Sequence, residues 1–533
     1  MKYPDLTRRS FITRSALGVA GLSTAGLVLG SRGWNSAYAA VSGGDWNDLA
    51  RSVRGQLLLP GNSQFDTARL PWNALYDNVM PQAVLRVAGA EDIRRAIEFC
   101  RDTGVRPILR SGGHSFQGFS TGTGLIIDLS SLSRVVINST RERVRIGAGA
   151  TLLDVYENLY KRARITIVGG TCPTVGISGL TQGGGVGPFT RQYGLTLDRL
   201  IGAQVVTADG EVRRVNAKND SDLFWAIRGG GGGSFGVVAS FDFLPVPADM
   251  PIVTIELEFP WKHAERVITA FQEWVPTVPR NAHPGMTIRT SERGTGAEPT
   301  VAVSLWHRGS RMRADAEIRE LIKEIAVKPL SRTERQQAFF ETEYDEYCEG
   351  LERQQCASEV SPPGVLPRVG LSTYSEISRR PWPRAAIGVL LQEIERWQRD
   401  MVLQPEGVSA GLQAGKVIIE SIDGAVHEVA PSATAFPHRD GLFVYQFQAR
   451  TRKGAPAETV EAAQTWLDNL YDDLTPWRTG AEYSNYGNRR LNDWEQAYFG
   501  GNAARLRQVK TQVDPRNLFR FEQSVRPLKK SST

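Results

Sequence analysis

His114 and Cys172 are the residues of this 533-residue sequence whose surroundings point most directly to chemistry, because each stands inside a glycine-rich run. The first run, RSGGHSFQG from Arg110, follows a predicted strand. Consecutive glycines free the backbone to aim several N–H groups at one anion, and Arg110 and Ser115 add donors, so a pyrophosphate is the natural guest. The second run, GGTCPTVGISGLTQGGGVG from Gly169, surrounds a potential thiol nucleophile with a loop of high entropic cost, which suggests that something flat or bulky approaches its backbone. The third, RGGGGGSFG from Arg228, offers Gly232, Ser234 and Gly236 in the GxSxG spacing of serine hydrolases and a loose imitation of a dinucleotide loop. Both of those motifs need a strand before and a helix after. Here SDLFWAI from Ser221 reads as helix and VVASFDF from Val237 as strand, the reverse order.

The elements that must hold these runs are of mixed type. VLRVA from Val84, RPILR, LIIDL, RVVIN and RVRIG read as short strands around a helix over 90–103, whose apolar face includes Ile93, Ala96, Ile97 and Cys100. IVTIELEF from Ile252 alternates strictly, as a strand covered on one side does. Helical stretches near 262–275, 312–325, 456–471 and 503–512 and strands near 300, 417 and 442–450 extend this into a second, antiparallel sheet with helices on one face. The fold class is α+β.

Composition removes other functions. Hydrophobic residues at 41% and charged residues at 23% are those of a globular chain, so long disorder and a polytopic membrane protein are excluded. The net charge of +6 invites a nucleic-acid reading, but residues 1–39 hold five bases (Lys2, Arg8, Arg9, Arg14, Arg32) and one acid (Asp5), leaving only +2 elsewhere. No basic run with interleaved aromatics occurs, so no nucleic-acid partner is expected. The paired Arg8 and Arg9, a mild apolar stretch from Ala16 to Gly30 and AYAAV from Ala37 form a twin-arginine export signal with cleavage after Ala39. That predicts the twin-arginine machinery as partner of the precursor, a secreted or periplasmic mature protein, and no stable membrane insertion. There is no CxxC pair and no HExxH, so no metal is expected; a Cys348–Cys356 disulfide stays open.

Taken in order, RSGGH with His114, GxCPTVG with Cys172, YGLTLD from Tyr193, TAFPHRDGLFVYQ from Thr434, YSNYGNRR from Tyr483 and the close WEQAYFGGNAARLRQVKTQVDPRNLF resemble the berberine bridge enzyme-like FAD-linked oxidases of the vanillyl-alcohol oxidase and p-cresol methylhydroxylase (PCMH) superfamily. The resemblance covers nearly the whole mature chain. It implies a two-part PCMH-type FAD-binding domain (40–247, completed by 475–533) and an antiparallel-sheet substrate domain (248–474).

The resemblance further implies FAD joined at two points, through His114 to the 8α-methyl and through Cys172 to C6. It implies a cofactor contact set of Arg110, Ser111, Gly112, Gly113, Ser115 and Gly118, then Val175, Gly176, Gly179, Gly183, Gly184 and Gly187, and finally Asp198, Gly236, Val238, Asn485 and Asn488. Tyr486 would be the catalytic base, with Tyr193 and Gln446 beside it, for hydride transfer to flavin N5 from a hydroxyl or amine carbon of a small-molecule substrate, a sugar or a glycosylated or polycyclic natural product. Dioxygen would be the acceptor, with Val175 at its entrance; a dehydrogenase using another acceptor, a secreted hydrolase using Ser234 and a noncatalytic carbohydrate binder are the alternatives. Two positions depart from the family pattern. Val444 stands where some plant members carry a lysine that would lower the tyrosine pKa, and Ser178-Gly179-Leu180 replaces GGH.

Overall fold

The computed structural model describes residues 43–291, 298–399 and 415–529. The proposed export signal lies outside the described residues. Among the described residues, eighteen strands form four sheets. β1 (Gln56–Leu58), β2 (Ala83–Arg86), β3 (Pro107–Arg110) and β4 (Leu125–Asp128) give a sheet of order β1-β2-β4-β3 in which β2, β4 and β3 run parallel. The predicted helix, Ala90–Thr103, makes the crossover from β2 to β3 and buries Ile93, Ala96, Ile97 and Cys100. The His114 run leaves the carboxyl end of β3, the end of a parallel sheet where ligands usually sit.

β5 (Val135–Ile137), β6 (Val144–Gly147), β8 (Leu200–Val206), β9 (Val212–Val215) and β10 (Val237–Phe243) build a second sheet, order β5-β6-β10-β8-β9, antiparallel throughout. β7 (Ile165–Thr166) pairs with β11 (Val246–Pro247). Between β7 and β8 lies the Cys172 run, ending in the helix Ile177–Gly183. The helix Leu152–Ala163 starts on a capping box, with Thr151 and Asp154 satisfying each other's backbone N–H. From the carboxyl end, Trp494, Tyr498, Phe499, Leu506 and Val509 pack into the same core. There the buried Lys510 ammonium donates to the Ser234 and Phe519 carbonyls and to Asp514.

The remaining strands, β12 (Ile252–Phe259), β13 (Ala282–Arg289), β14 (Thr300–Arg308), β15 (Ser331–Gln337), β16 (Val369–Ser378), β17 (Lys416–Ser421) and β18 (Phe443–Arg452), form an antiparallel sheet of order β15-β12-β14-β13-β17-β18-β16. Period-two alternation sorts its faces. Val253, Ile255, Leu257, Val417, Ile419, Phe443, Tyr445 and Phe447 meet the apolar stripes of helices Ala264–Trp274, Arg311–Ile325, Arg384–Trp397 and Ala457–Asp473. The other face is mixed, with polar side chains beside Ile377, Ile418 and Val444. One directly paired row across it reads Glu256, Ser304, Gly285, Glu420, Val444 and Ile377. Cys348 and Cys356 are joined in a disulfide with their Cα atoms 5.5 Å apart. Trp274, Trp382 and Trp397 are core residues, and Trp382 stacks on Tyr445 at 4.0 Å.

Candidate active site

The three glycine runs, far apart in sequence, meet. A Cβ on Gly112 would lie 2.3 Å from the Gly176 nitrogen, and one on Gly176 would lie 2.2 Å from the Gly112 nitrogen, so the first two runs touch backbone to backbone as only glycine allows. A Cβ on Gly232 would find the Gly179 Cα as its nearest neighbour, at 3.7 Å, and the N–H groups of Gly229 and Gly231 both donate to the Gln182 carbonyl at 3.0 Å. Second and third runs are thereby joined. A Cβ on Gly179 itself would meet nothing within 4 Å. Bare backbone thus lines open space.

His114 and Cys172 are drawn to one hydroxyl. The His114 Nε2 lies 2.7 Å from the Thr174 Oγ1, and the Cys172 Sγ lies 3.8 Å from the same oxygen. Trp72 stacks on the imidazole with ring centroids 4.9 Å apart and donates its backbone N–H to the Gly113 carbonyl. Burial pushes the imidazole down to about 3, so His114 is neutral at physiological pH. It also raises the Cys172 thiol, against the lowering effect of Thr174 and the Val175 N–H.

Segment 483–488 closes the site from the carboxyl end. Asn485 donates to the Leu180 carbonyl at 3.0 Å and to the Tyr483 hydroxyl at 2.9 Å, and its amide occupies the space that a side chain on Gly183 would need. The Tyr483 hydroxyl also accepts the Gly185 N–H at 2.7 Å. Tyr486 stacks on Phe116 of the first run and donates its hydroxyl to Glu420 Oε2 at 2.6 Å. Glu420, on β17, was not among the sequence candidates. It is the direct cross-strand partner of Val444, so a carboxylate stands beside the position where a lysine was looked for. Burial raises the Glu420 carboxyl, and burial with Glu420 beside it holds the Tyr486 phenol well above its ordinary value. Gln446 shares one face of β18 with Val444; its Nε2 is buried without a partner among the described residues, as is the Nε of Arg450 further along that face.

Several other candidate side chains are engaged within the protein itself. Arg110 was expected to aim donors at the anion; instead its buried guanidinium donates to the carbonyls of Ser120, Ala68 and Arg69, so the side chain anchors the base of its loop. Asp198 is a buried partner of Arg439, bonded twice at 2.8 Å. Asn488 is fully buried, donates to Glu482 and accepts from Arg490 N–H. Ser111 donates to the Ala148 carbonyl, and the Ser115 hydroxyl accepts the Phe119 N–H within its own loop. The Tyr193 hydroxyl bonds to Arg308. Gly236 and Val238 lie at the start of β10, where a Cβ on Gly236 would press on the Val206 carbonyl at 2.7 Å. Similarly, one on Gly187 would strike the Gly169 carbonyl, on Gly184 the Tyr483 ring and on Gly118 the Tyr76 ring. Val175 is partly buried against the core of the first sheets. Ser234 is buried between helix and strand, and its Oγ accepts the Val525 N–H at 3.3 Å, which is not a nucleophile elbow.

The cradle fits FAD. Among the described residues the N–H groups of Gly113, His114 and Ser115 have no backbone acceptor, so they are available as donors to a pyrophosphate. The orphaned Gln446 and Arg450 nitrogens lie on a sheet face that could meet a ring with carbonyl and nitrogen acceptors.

Comparison with known proteins agrees with this geometry. The family described as FAD binding domain matches residues 81–216, and the family described as Berberine and berberine like matches 482–526. An uncharacterized FAD-linked oxidoreductase of Bacillus subtilis, YgaK, is 28% identical over 494 residues, covering 90% of this chain and 98% of that one. Berberine bridge enzyme-like 19 of Arabidopsis thaliana is 30% identical over 445 residues, covering 79% and 74%. Among solved structures, a xylooligosaccharide oxidase from Myceliophthora thermophila C1 superposes with a TM-score of 0.77 at 23% identity over 91% of this chain and all of that one. The matches take in both the segment that carries the first two glycine runs and the closing segment that carries Tyr486, and the chain belongs to the berberine bridge enzyme-like FAD-linked oxidoreductases.

Proposed function

We propose that the chain is an exported oxidase that carries FAD on both His114 and Cys172 and oxidises a hydroxyl-bearing carbon of a sugar or of a glycosylated natural product. Residues 40–247 and 475–533 would form the flavin part and 248–474 the substrate part. His114, Cys172 and the glycine runs would hold FAD, which would supply the hydride acceptor and the route for two electrons to dioxygen, with hydrogen peroxide as the by-product. The chain must supply a sink for the hydroxyl proton. Tyr486 is a phenol at neutral pH and cannot be that sink alone. Its own proton already points at Glu420 Oε2, 2.6 Å away, and this observation carries the proposal. As the substrate hydroxyl gives its proton to the Tyr486 oxygen, the phenolic proton moves to Glu420. Glu420 is the base, and Tyr486 the relay that reaches the substrate.

The substrate class follows from the sheet face around the relay. Glu256, Ser304 and Gly285 continue the row from Glu420 on one side and Val444 and Ile377 on the other, and the next row holds Thr287, Ile418 and Gln446. The carboxylates, hydroxyls and amide of this face would orient the hydroxyl groups of a sugar, while Ile377, Ile418 and Val444 give it apolar contact. The test is anaerobic mixing with a panel of oligosaccharides and aromatic alcohols, followed by admission of air. Bleaching of the flavin by a sugar, with one peroxide released per turnover in air, is expected. Bleaching with reoxidation only by an artificial acceptor would replace the oxidase with a dehydrogenase, and bleaching by aromatic alcohols alone would replace the sugar.

A further inference from the structure

We propose that Thr174 is a positioning residue that couples the two attachment side chains, selecting the Cys172 thiolate and the Nδ1-nucleophilic form of His114 together. The inference rests on the reading that both side chains bind the flavin.

A threonine hydroxyl has one proton and two lone pairs, and a neutral imidazole has one donor and one acceptor nitrogen. Thr174 Oγ1 faces the His114 Nε2 at 2.7 Å and the Cys172 Sγ at 3.8 Å, so its single proton can serve only one of them. If the proton points to Nε2, then Nδ1 bears the imidazole hydrogen and has no free lone pair. If it points to sulfur, the hydroxyl oxygen accepts Nε2–H, and Nδ1 is free to attack. A thiolate is a far stronger acceptor than a thiol, so ionisation of Cys172 draws the hydroxyl proton to sulfur and sets the histidine tautomer at the same time. The arrangement has little freedom to relax: Trp72 stacks on the ring, and the two loops are clamped at Gly112 and Gly176. Burial of His114 keeps the imidazole neutral, the state in which the tautomer matters.

Each link replaces a flavin C–H bond and a nucleophile N–H or S–H bond by one C–N or C–S bond. Two protons and two electrons are released each time, and dioxygen takes both to become hydrogen peroxide. The histidine's share of the protons leaves from Nε2 through the Thr174 oxygen.

The test compares wild type, Thr174→Val and Thr174→Ser by proteolysis of the purified holoprotein, mass mapping of flavin peptides, and NMR assignment of the linked nitrogen. Valine keeps the shape and loses the hydroxyl, whereas serine keeps the hydroxyl and loses the methyl, so a packing role and a coupling role predict opposite orders. Coupling predicts one FAD bridging both peptides through Nδ1 in wild type and Thr174→Ser, and at least a tenfold loss of the bridged species in Thr174→Val. Full bridging in Thr174→Val would overturn it. So would an Nε2 link in wild type, a result that does not depend on any variant folding. Wild-type peptides free of flavin would instead remove the two-point attachment itself.

Discussion

Replacing Glu420 by Gln removes the proton sink while keeping the hydrogen bond, because an amide oxygen still accepts from the Tyr486 hydroxyl across the 2.6 Å contact. Loss of general base catalysis is worth about 10²- to 10⁴-fold, or roughly 3–5 kcal/mol of barrier at 1.36 kcal/mol per tenfold change. The assay is stopped-flow reduction of the flavin under anaerobic conditions, which isolates hydride transfer from reoxidation. Glu420→Gln should fall by that factor with the yellow colour intact, and Tyr486→Phe should fall similarly. Because the two act as one relay, the double variant should be scarcely slower than either single one. The pH profile gives a second handle. Burial raises the Glu420 carboxyl above the ordinary glutamate range, so wild-type reduction should decline as pH falls through that raised value, and the decline should vanish in Glu420→Gln. A variant within threefold of wild type, with its acid limb intact, would refute the relay.

Two further outcomes are expected elsewhere. Gly176→Ala would drive a methyl into the Gly112 backbone at about 2.2 Å; an overpacking penalty on the order of 3 kcal/mol and a reduced ratio of flavin to protein absorbance should follow, and full flavin content would contradict the clamp. Beneath the Tyr486 segment, Glu376 accepts from Thr479, and Glu482 from Asn488 and Tyr471; burial lifts both carboxyls to about 7. A carboxyl whose folded value exceeds its unfolded one is most favourable when protonated, so stability is lost as pH rises from about 4.5 through 7, by roughly 3 kcal/mol per group at most. The Tm should fall between pH 5 and 8 in wild type, and this slope should flatten in the Glu376→Gln/Glu482→Gln variant; a Tm that rises over that range would contradict the assignment.

What could be read before the structure was local. The period of Ile93, Ala96, Ile97 and Cys100 reports a helix and the alternation of Ile252–Phe259 reports a strand, and both stand in the structure, whereas the glycine runs around His114 and Cys172, read as room for a ligand, use Gly112 and Gly176 to let one backbone touch the other. Partnership between distant segments is not carried by such patterns. Alternation in KVIIES would put Glu420 on the face opposite Val417 and Ile419, but only the register of β17 against β18 sets it beside Val444. The same limit explains Arg110 and Asp198. Each has the chemistry of a ligand contact, but burial commits Arg110 to the carbonyls of Ala68, Arg69 and Ser120, and Asp198 to Arg439, which is 241 residues away. Thr174 lies within the Cys172 run, yet its contact with His114 depends on where the His114 loop lands.

The most direct measurement is a mass map of the denatured, digested protein. The account predicts a single FAD carried by a pair of peptides, one containing His114 and the other Cys172, whose combined mass is that of both peptides and the cofactor less four hydrogens. Peptides of unmodified mass at both positions, or cofactor released intact on denaturation, would contradict it.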